Sequence, residues 1–151
     1  WGTNYVYGTW SALCAFNAAG EDMTSPHMAK AVKWLKSRQR ADGGWGEDCA
    51  SYWANRKEEV KSSTASQTSW ALLGLMAAGE IDSEEVDNGI HYLSEAPRDG
   101  SKWHEDYYNA VGFPRVFYLR YHGYSEYFPL WALSRYRNLK DANAKTPIYG
   151  I

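Results

Sequence analysis

The side chains with the most chemical potential in this chain are its aromatic rings. The 151 residues include 8 Trp, 12 Tyr and 4 Phe, which together make up 16% of the chain. A small domain does not need so many rings for its core, and aromatic faces attract cations in sites that exclude water. The rings are dense in a long connection from Tyr107 to Tyr127, and connections of this kind are usually functional. The sequence therefore predicts structural bracing, an aromatic-lined cavity, or both.

Metal and disulfide chemistry have little support in the sequence. Cys14 and Cys49 are too few for a disulfide framework, and they favour a reducing environment. Cys14 is predicted to be a small buried apolar residue. The four histidines do not share a metal-ligand spacing; they are His27, His91, His104 and His122. We therefore expect no metal site.

Composition and charge indicate one globular domain. The chain weighs 17.2 kDa and carries 16 basic and 18 acidic residues, for a net charge of −2. This balance argues against a nucleic-acid partner and against a polybasic membrane tether. No run of 18 apolar residues occurs, so the sequence predicts no transmembrane helix, and it shows no signal peptide.

The elements that position the rings are predicted by an internal repeat. Residues 10–21 resemble residues 69–80, at an offset of 59 residues, and Trp45 recurs 58 residues later as Trp103. A third start of the same pattern occurs at residues 128–133. Repeats of this length indicate a fold assembled from copies of one supersecondary unit.

The first half of each copy predicts a helix that is buried on most sides. Thr9 to Ala19 and Ser63 to Ala78 are apolar nearly all round, which is typical of an inner helix. Gly20 and Gly79 stand where a C′ glycine would end these helices.

The second half of each copy predicts an amphipathic helix. In the first copy the apolar residues follow the helical period; they are Met28, Ala31, Val32 and Leu35. Ser25 followed by Pro26 is typical of an N-cap with proline at the first helical position, and Ser83 begins the equivalent helix. A glycine-containing turn then leads to Trp45 or Trp103.

Alternating inner and outer helices predict an all-α protein of the α/α toroid or solenoid type. A closed ring of six pairs needs on the order of 350 residues at about 58 residues per pair. This chain holds about two and a half pairs, so we expect part of a larger barrel with an apolar edge that favours dimerisation. A polar loop at 47–61, with a charge run at 55–59, is expected to be solvated.

The turn at Trp45 carries a specific resemblance. Lys30, Ala31, Leu35, Gln39, Gly43 and Trp45 follow the spacing of the QW motif of triterpene cyclases at every position. In that family Gln39 and Trp45 would brace the ends of helices against one another. The second copy keeps Trp103, but Pro97 and Ser101 replace the glutamine and the glycine, so the brace is in doubt there.

Further blocks of the sequence look like bacterial squalene–hopene cyclase. They are residues 1–10, 46–49, 63–72 and 112–124. The resemblance extends from Trp1 to about Tyr136 and implies that residues 1–151 are the C-terminal portion of the catalytic α/α barrel of a larger cyclase. It implies acid-initiated cyclisation of squalene to hopene or hopanol, without a metal or organic cofactor. It also implies a monotopic protein on the cytoplasmic side of the inner membrane, with the rest of the barrel and a second copy as partners.

The resemblance also identifies seven candidate cavity residues. Aromatic faces would stabilise the migrating cation by up to about 2 kcal/mol for each desolvated ring. The candidates are Phe113 and Phe117 for later cations, Tyr121 and Tyr124 for earlier ring closures, Leu119 for folding of the substrate, and Trp1 and Tyr7 nearer the acid end.

The charged residues do not supply the acid that the resemblance requires. The family uses the middle aspartate of an Asp-x-Asp-Asp motif, which does not occur in these 151 residues, so we expect no initiation by this chain alone. Arg115 and Arg120 must face away from the cation path or pair with acids such as Glu126. Glu47 and Asp48 are expected to form loop ion pairs or helix caps; the alternative is that they anchor residues that line the cavity.

Three alternatives remain at this point. Protein prenyltransferase β-subunits share the barrel but need a zinc triad, and Asp48 and Cys49 are adjacent and lack a partner histidine. Oxidosqualene cyclases also carry QW motifs. A non-catalytic helical binding module would use the aromatic residues at 113–124 as surface contacts. One example of such a module, the complement-type thioester domain, needs a Gly-Cys-Gly-Glu-Gln sequence, which is absent from these 151 residues.

Overall fold

The structure is a computed structural model that describes residues 1–55 and 62–149. Most of the charge run at 55–59, which is expected to be solvated, lies outside the described residues. No helix in the described ranges combines the length and apolar character that crossing a membrane requires. The helices are α1 Tyr5–Ala18, α2 Pro26–Ser37, a 3₁₀ turn Cys49–Tyr52, α3 Ala65–Ala77, α4 Glu84–Glu95 and α5 Tyr124–Asp141. The strands are β1 Arg98–Asp99, β2 Lys102–Trp103, β3 Ala110–Phe113 and β4 Phe117–Leu119.

Helix α3 is the centre of the fold. Every one of its 13 residues is buried, and it packs between α1 and α5. Helix α2 lies against α1 and α3, and α4 lies against α3. Gly74 permits the close approach of α1, because a Cβ there would lie 3.1 Å from Trp10 Cα. The predicted helical architecture is confirmed, with α3 as a buried inner helix and α2 and α4 as amphipathic outer helices. The prediction that the first inner helix is buried on most sides was wrong, because only Val6, Trp10, Leu13 and Cys14 of the 14 residues of α1 are buried.

The ends of the two inner helices agree with the prediction. Gly20 and Gly79 have φ values of 78° and 87°, which glycine adopts without a steric penalty. The amide after each glycine donates back into the helix, from Glu21 to the Phe16 carbonyl and from Glu80 to the Leu75 carbonyl, both at 3.0 Å. Both ends therefore have the hydrogen bonds of a Schellman motif.

The predicted starts of the inner helices were wrong by a few residues. Helix α1 begins at Tyr5 rather than Thr9, and α3 begins at Ala65 rather than Ser63. The Thr64 side chain caps α3 by accepting the Gln67 N–H at 3.2 Å. Helix α2 begins at Pro26, as predicted.

The long connection from Tyr107 to Tyr127, which carries no recognisable pattern of regular structure in the sequence, contains three regular elements. It contains the antiparallel β3–β4 hairpin, and α5 already begins at Tyr124. Similarly, the glycine-containing turn before Trp103 is the short β1–β2 hairpin. These strands have two to four residues, which is too short to produce a recognisable alternating pattern.

Candidate functional site

The β3–β4 hairpin presents a pair of phenylalanine rings. Phe113 and Phe117 meet edge to face, with ring centroids 5.5 Å apart and an interplanar angle of 72°. The Val116 N–H donates to the Phe113 carbonyl at 3.0 Å across a turn with Pro114 second and Arg115 at φ 64° third, the combination found in type II turns. Phe113 is 64% exposed and Phe117 43% exposed, so both rings are available at the surface of the described chain.

Gly112 determines where the Phe117 ring lies. The ring covers the glycine so closely that a Cβ there would be 1.9 Å from Phe117 Cε2. Leu119 is half-buried and pairs with Ala110 at the other end of the hairpin. The hairpin therefore places Phe113, Phe117 and Leu119 on one short element.

A second group of rings, the aromatic cluster, connects the three inner helices. Trp70 of α3 is fully buried at its centre. Its ring centroid lies 5.0 Å from Tyr7, 6.2 Å from Trp10, 5.8 Å from Tyr124 and 5.4 Å from Phe128. Most of these contacts are edge to face, the arrangement that the ring quadrupoles favour.

Tyr121 extends the aromatic cluster toward the hairpin. Its ring lies 4.9 Å from that of Tyr124, and it is 38% exposed. Burial raises the pKa of the Tyr124 phenol, so this ring is neutral at ordinary pH. A neutral ring attracts a cation through its face without acting as a strong base. Of the seven predicted residues, Tyr7, Tyr121 and Tyr124 thus lie together, whereas Trp1 is 69% exposed at the chain terminus.

Sequence reasoning did not select three members of this cluster, namely Trp10, Trp70 and Phe128. The repeat contained a signal for one of them, Trp70, because Trp-Ala-Leu recurs at residues 70–72 and 131–133. The identical spacing places each tryptophan on an inner helix, where the helices converge.

The two arginines of the hairpin region point to the connecting loops. Arg120 donates to the Asp106 main-chain carbonyl and lies 5.8 Å from the Tyr108 ring centre. Arg115 lies 5.7 Å from the ring of Trp53. Neither of these contacts involves Glu126, which accepts a hydrogen bond from the Ser101 hydroxyl at 2.9 Å.

Glu47 and Asp48 are helix caps. The Glu47 carboxylate accepts the backbone N–H groups of Val6 at 2.9 Å, Tyr5 at 3.1 Å and Asn4 at 3.4 Å, which lie at the start of α1. Asp48 Oδ1 accepts the Ala50 N–H at 2.7 Å and so caps the 3₁₀ turn. A carboxylate at a helix N-terminus satisfies its free N–H groups and complements its dipole.

The predicted QW residues form a compact set of contacts. Gln39 Nε2 donates to the carbonyls of Gly43 and Glu85, both at 2.8 Å, and so connects the end of α2 to the start of α4. Trp45 is fully buried, and its indole N–H donates to the Leu35 carbonyl at 2.8 Å. Gly43 has φ 83°, and a Cβ there would lie 2.6 Å from the Asn88 carbonyl oxygen.

The second copy retains the tryptophan contact despite its altered residues. The Trp103 indole N–H donates to the Leu93 carbonyl at 2.8 Å, just as in the first copy. Arg98 lies 4.3 Å from the centre of the Trp103 ring. Pro97 cannot supply the side-chain donor of Gln39, but its carbonyl accepts the His104 N–H at 2.9 Å.

A cavity of about 180 Å³ lies at the start of α1, away from the predicted cavity residues. It is lined by Tyr5, Val6, Trp34, Arg38, Trp45, Gly46, Glu47 and Ser51. Within residues 1–55 and 62–149, no three His, Cys, Asp or Glu side chains come together as a metal ion would require.

Comparison with known proteins decides the family. Residues 1–138 match the squalene-hopene cyclase C-terminal domain. The chain belongs to this family. The family's fold is the terpenoid cyclase α/α toroid, which agrees with the packing of α1 to α5.

The squalene–hopene cyclases include proteins very similar to this chain. It is 60% identical to squalene–hopene cyclase of Zymomonas mobilis and 57% identical to that of Bradyrhizobium diazoefficiens, in each case over the whole chain and 23% of the relative. It is 36% identical to human lanosterol synthase, over 95% of the chain and 20% of the relative. The chain thus spans less than a quarter of the length of these relatives.

Proposed function

We propose that residues 1–151 are the C-terminal portion of the catalytic barrel of a squalene–hopene cyclase. In this proposal the whole enzyme converts squalene to hopene and hopanol. The observation that carries the proposal is the continuous set of rings from Tyr7 through Trp70 and Tyr124 to Tyr121, together with the exposed Phe113–Phe117 pair on the hairpin that precedes Tyr121 in the chain. The similarity to squalene–hopene cyclases over the whole chain supports the choice of substrate.

The reaction accounts for the need for rings rather than charged bases. A proton adds to a terminal double bond, and each further double bond donates its π electrons to the cation to close a ring. The last cation loses a proton to give hopene, or water adds to it and the added water then loses a proton to give hopanol. A charged base beside the path would remove a proton too early, whereas an aromatic face stabilises the cation by up to about 2 kcal/mol without reacting.

Each predicted residue has a role in this proposal. Phe113 and Phe117 face the later cations, and Tyr121 and Tyr124 face the earlier ring closures. Leu119 restricts how the substrate folds. Trp1 and Tyr7 line the cavity nearer the acid.

The proton donor is proposed to lie outside these 151 residues, because the chain has no Asp-x-Asp-Asp sequence. The contacts of Gln39 and Trp45 are proposed to brace α2 against α4 and α3, so that the inner helices keep their positions during the reaction. Trp45 supports this role because its main-chain N–H also reaches the Thr68 hydroxyl, at 2.9 Å.

We further propose that the whole enzyme is a monotopic protein on the cytoplasmic side of the inner membrane, where it takes squalene from the bilayer, and that it forms a homodimer. The resemblance to bacterial squalene–hopene cyclase supports both points. Flotation of the full-length protein with vesicles and sedimentation in detergent would test them separately.

The catalytic proposal is tested in the full-length enzyme with squalene in detergent, with products analysed by gas chromatography and mass spectrometry. Phe113→Ala and Phe117→Ala are expected to yield more products with one to four rings at the expense of pentacyclic products. Val116→Ala is the matched control, because Val116 lies in the turn between the two phenylalanines in the chain and its side chain is 75% exposed. The isolated 1–151 chain, incubated in parallel, is expected to give no product.

The outcomes separate the alternatives. An unchanged product profile in both phenylalanine variants would favour a non-catalytic interaction module. No product from squalene, but product from oxidosqualene, would indicate an oxidosqualene cyclase instead. Product from the 1–151 chain alone would show that the proton donor has been misplaced.

A further inference from the structure

Asn109 makes an unusual pair of hydrogen bonds to one other residue. Its Oδ1 accepts the Tyr121 N–H at 2.9 Å, and its Nδ2 donates to the Tyr121 carbonyl at 3.1 Å. One amide side chain therefore satisfies both main-chain groups of Tyr121. Asn109 is only 5% exposed, so its side-chain amide is largely shielded from bulk water.

These bonds continue the β3–β4 ladder beyond its last backbone pair. Ala110 and Leu119 are the final paired residues, and Asn109 and Tyr121 lie just outside them. The chain departs from strand geometry after Leu119, because residue 120 is not in a strand. The Asn109 side chain replaces the backbone pairing that is lost and fixes the point at which the chain leaves the hairpin.

Asn109 is itself anchored to the start of the central helix. Its main-chain carbonyl accepts the Thr3 N–H at 3.1 Å, and Gln67 of α3 donates its side-chain amide to the Thr3 carbonyl. At the same end of α3, the Glu105 carboxylate accepts both the N–H and the hydroxyl of Ser66. Thr3, Ser66 and Gln67 are almost completely buried, which makes this a rigid base.

The position of Tyr121 is passed on to the aromatic cluster. The Tyr121 carbonyl that accepts from Asn109 also accepts the Tyr124 N–H, at 3.0 Å, at the first residue of α5. The two tyrosine rings are in contact, and Tyr124 in turn contacts Trp70 and Phe128. A displacement of Tyr121 would therefore change the direction of both tyrosine faces.

We propose that Asn109 is the positioning residue that sets the orientation of the Tyr121 and Tyr124 rings during cyclisation. This inference rests on the proposed cyclase function. Cation–π attraction requires the cation over the ring face within about 6 Å of its centre, so a small rotation removes much of it. Loss of Asn109 should leave the cation longer without stabilisation at the ring closures that these tyrosines serve, and early proton loss should then compete.

The test compares product ratios in the full-length enzyme with squalene. Asn109→Ala should raise the ratio of incompletely cyclised to pentacyclic products by about tenfold, the factor that corresponds to a partial loss of ring stabilisation. This ratio does not depend on how much enzyme is folded, so a purely structural role would not change it. Gly89→Ala, on the outer helix α4, is the control for lowered stability. Its added Cβ would lie 2.8 Å from Leu72 Cδ2, so the variant should be less stable and keep the wild-type product ratio.

A combined-variant comparison tests whether Asn109 acts through the two tyrosine rings. Adding Asn109→Ala to an enzyme that carries both Tyr121→Ala and Tyr124→Ala should leave its product ratio unchanged within a factor of about two, because both rings that Asn109 orients are already absent. Multiplicative effects in the combined variant would overturn the proposal. If Asn109→Ala does not fold, Asn109→Asp, which keeps the acceptor and loses the donor, should still raise the ratio.

The failure of this inference can be told apart from the failure of the proposed function. Wild-type enzyme that makes pentacyclic product, together with an Asn109→Ala enzyme of unchanged product ratio, would overturn the positioning role alone. Wild-type enzyme that makes no cyclised product from squalene would overturn both.

Discussion

Glu47 offers a sharp test of how distant residues hold the site. Its carboxylate accepts three backbone N–H groups at the start of α1, the helix that carries Tyr7, and Glu47 is only 9% exposed. The N-cap residue Asn4 makes no side-chain capping bond, so this end of α1 depends on a residue 41 positions away from Val6. Glu47→Gln keeps the shape of the side chain and removes its charge and one acceptor oxygen.

The magnitude follows from the bonds that change. Hydrogen bonds to a charged group contribute roughly 1.5–3 kcal/mol each, and Glu47→Gln loses at least one of them. The interaction of the charge with the helix N-terminus adds roughly 0.3–2 kcal/mol. We expect a local loss of at least about 2 kcal/mol, which corresponds to a roughly 30-fold higher population of the opened first turn.

Hydrogen–deuterium exchange of the full-length protein measures this opening directly. Peptides that cover residues 4–10 should exchange roughly 30-fold faster in Glu47→Gln, and peptides from α4 should be unaffected. Glu21→Gln is the matched control, because it makes the same charge change at an exposed site beyond the other end of α1. Equal exchange of residues 4–10 in wild type and Glu47→Gln would refute the capping argument.

Two further predictions concern the braces and the buried carboxyl. Trp45→Phe and Trp103→Phe should each lower the free energy of unfolding by about 2 kcal/mol, because each leaves one buried carbonyl without its indole donor. Urea titrations measure this change. If Trp103→Phe leaves the free energy of unfolding unchanged, the second copy does not brace the helices. Burial raises the pKa of Glu105 above its ordinary 4.5, so the folded state holds this proton more tightly and stability falls as pH rises above about 4.5. The Glu105→Gln side chain cannot ionise, so the urea midpoint of this variant should rise relative to that of the wild type between pH 4.5 and pH 7. Urea midpoints of the two proteins that change in parallel with pH would contradict this.

Much of the helical framework could be predicted because the signals are local. Pro26 begins α2, and Gly20 and Gly79 end the inner helices, since proline and glycine act on their own backbone angles. The predicted starts of α1 and α3 were less accurate, because a helix start depends on which groups accept hydrogen bonds from its first backbone N–H groups. For α1 that group is Glu47, which no local pattern reveals.

The candidate site was predictable in its residue types and less so in its arrangement. The resemblance selected Tyr7, Tyr121 and Tyr124, which the structure brings into one set of contacts with Trp70. It did not predict Asn109, because a single asparagine in a loop carries no distinctive spacing. Its function in the fold appears only when residues 109 and 121 meet.

The sequence alone determined the helical repeat, the turns that end the inner helices and the family to which the chain belongs. The helices and turns follow from backbone preferences and hydrophobic periodicity within about 15 residues, whereas the family follows from the resemblance of whole motifs. The tertiary structure decided which carboxylate caps α1, that the aromatic connection folds into a hairpin, and that Asn109 holds Tyr121. The Glu47 and Asn109 contacts join residues 41 and 12 positions apart, so they exist only after the packing around α3 has brought their partners within hydrogen-bonding distance.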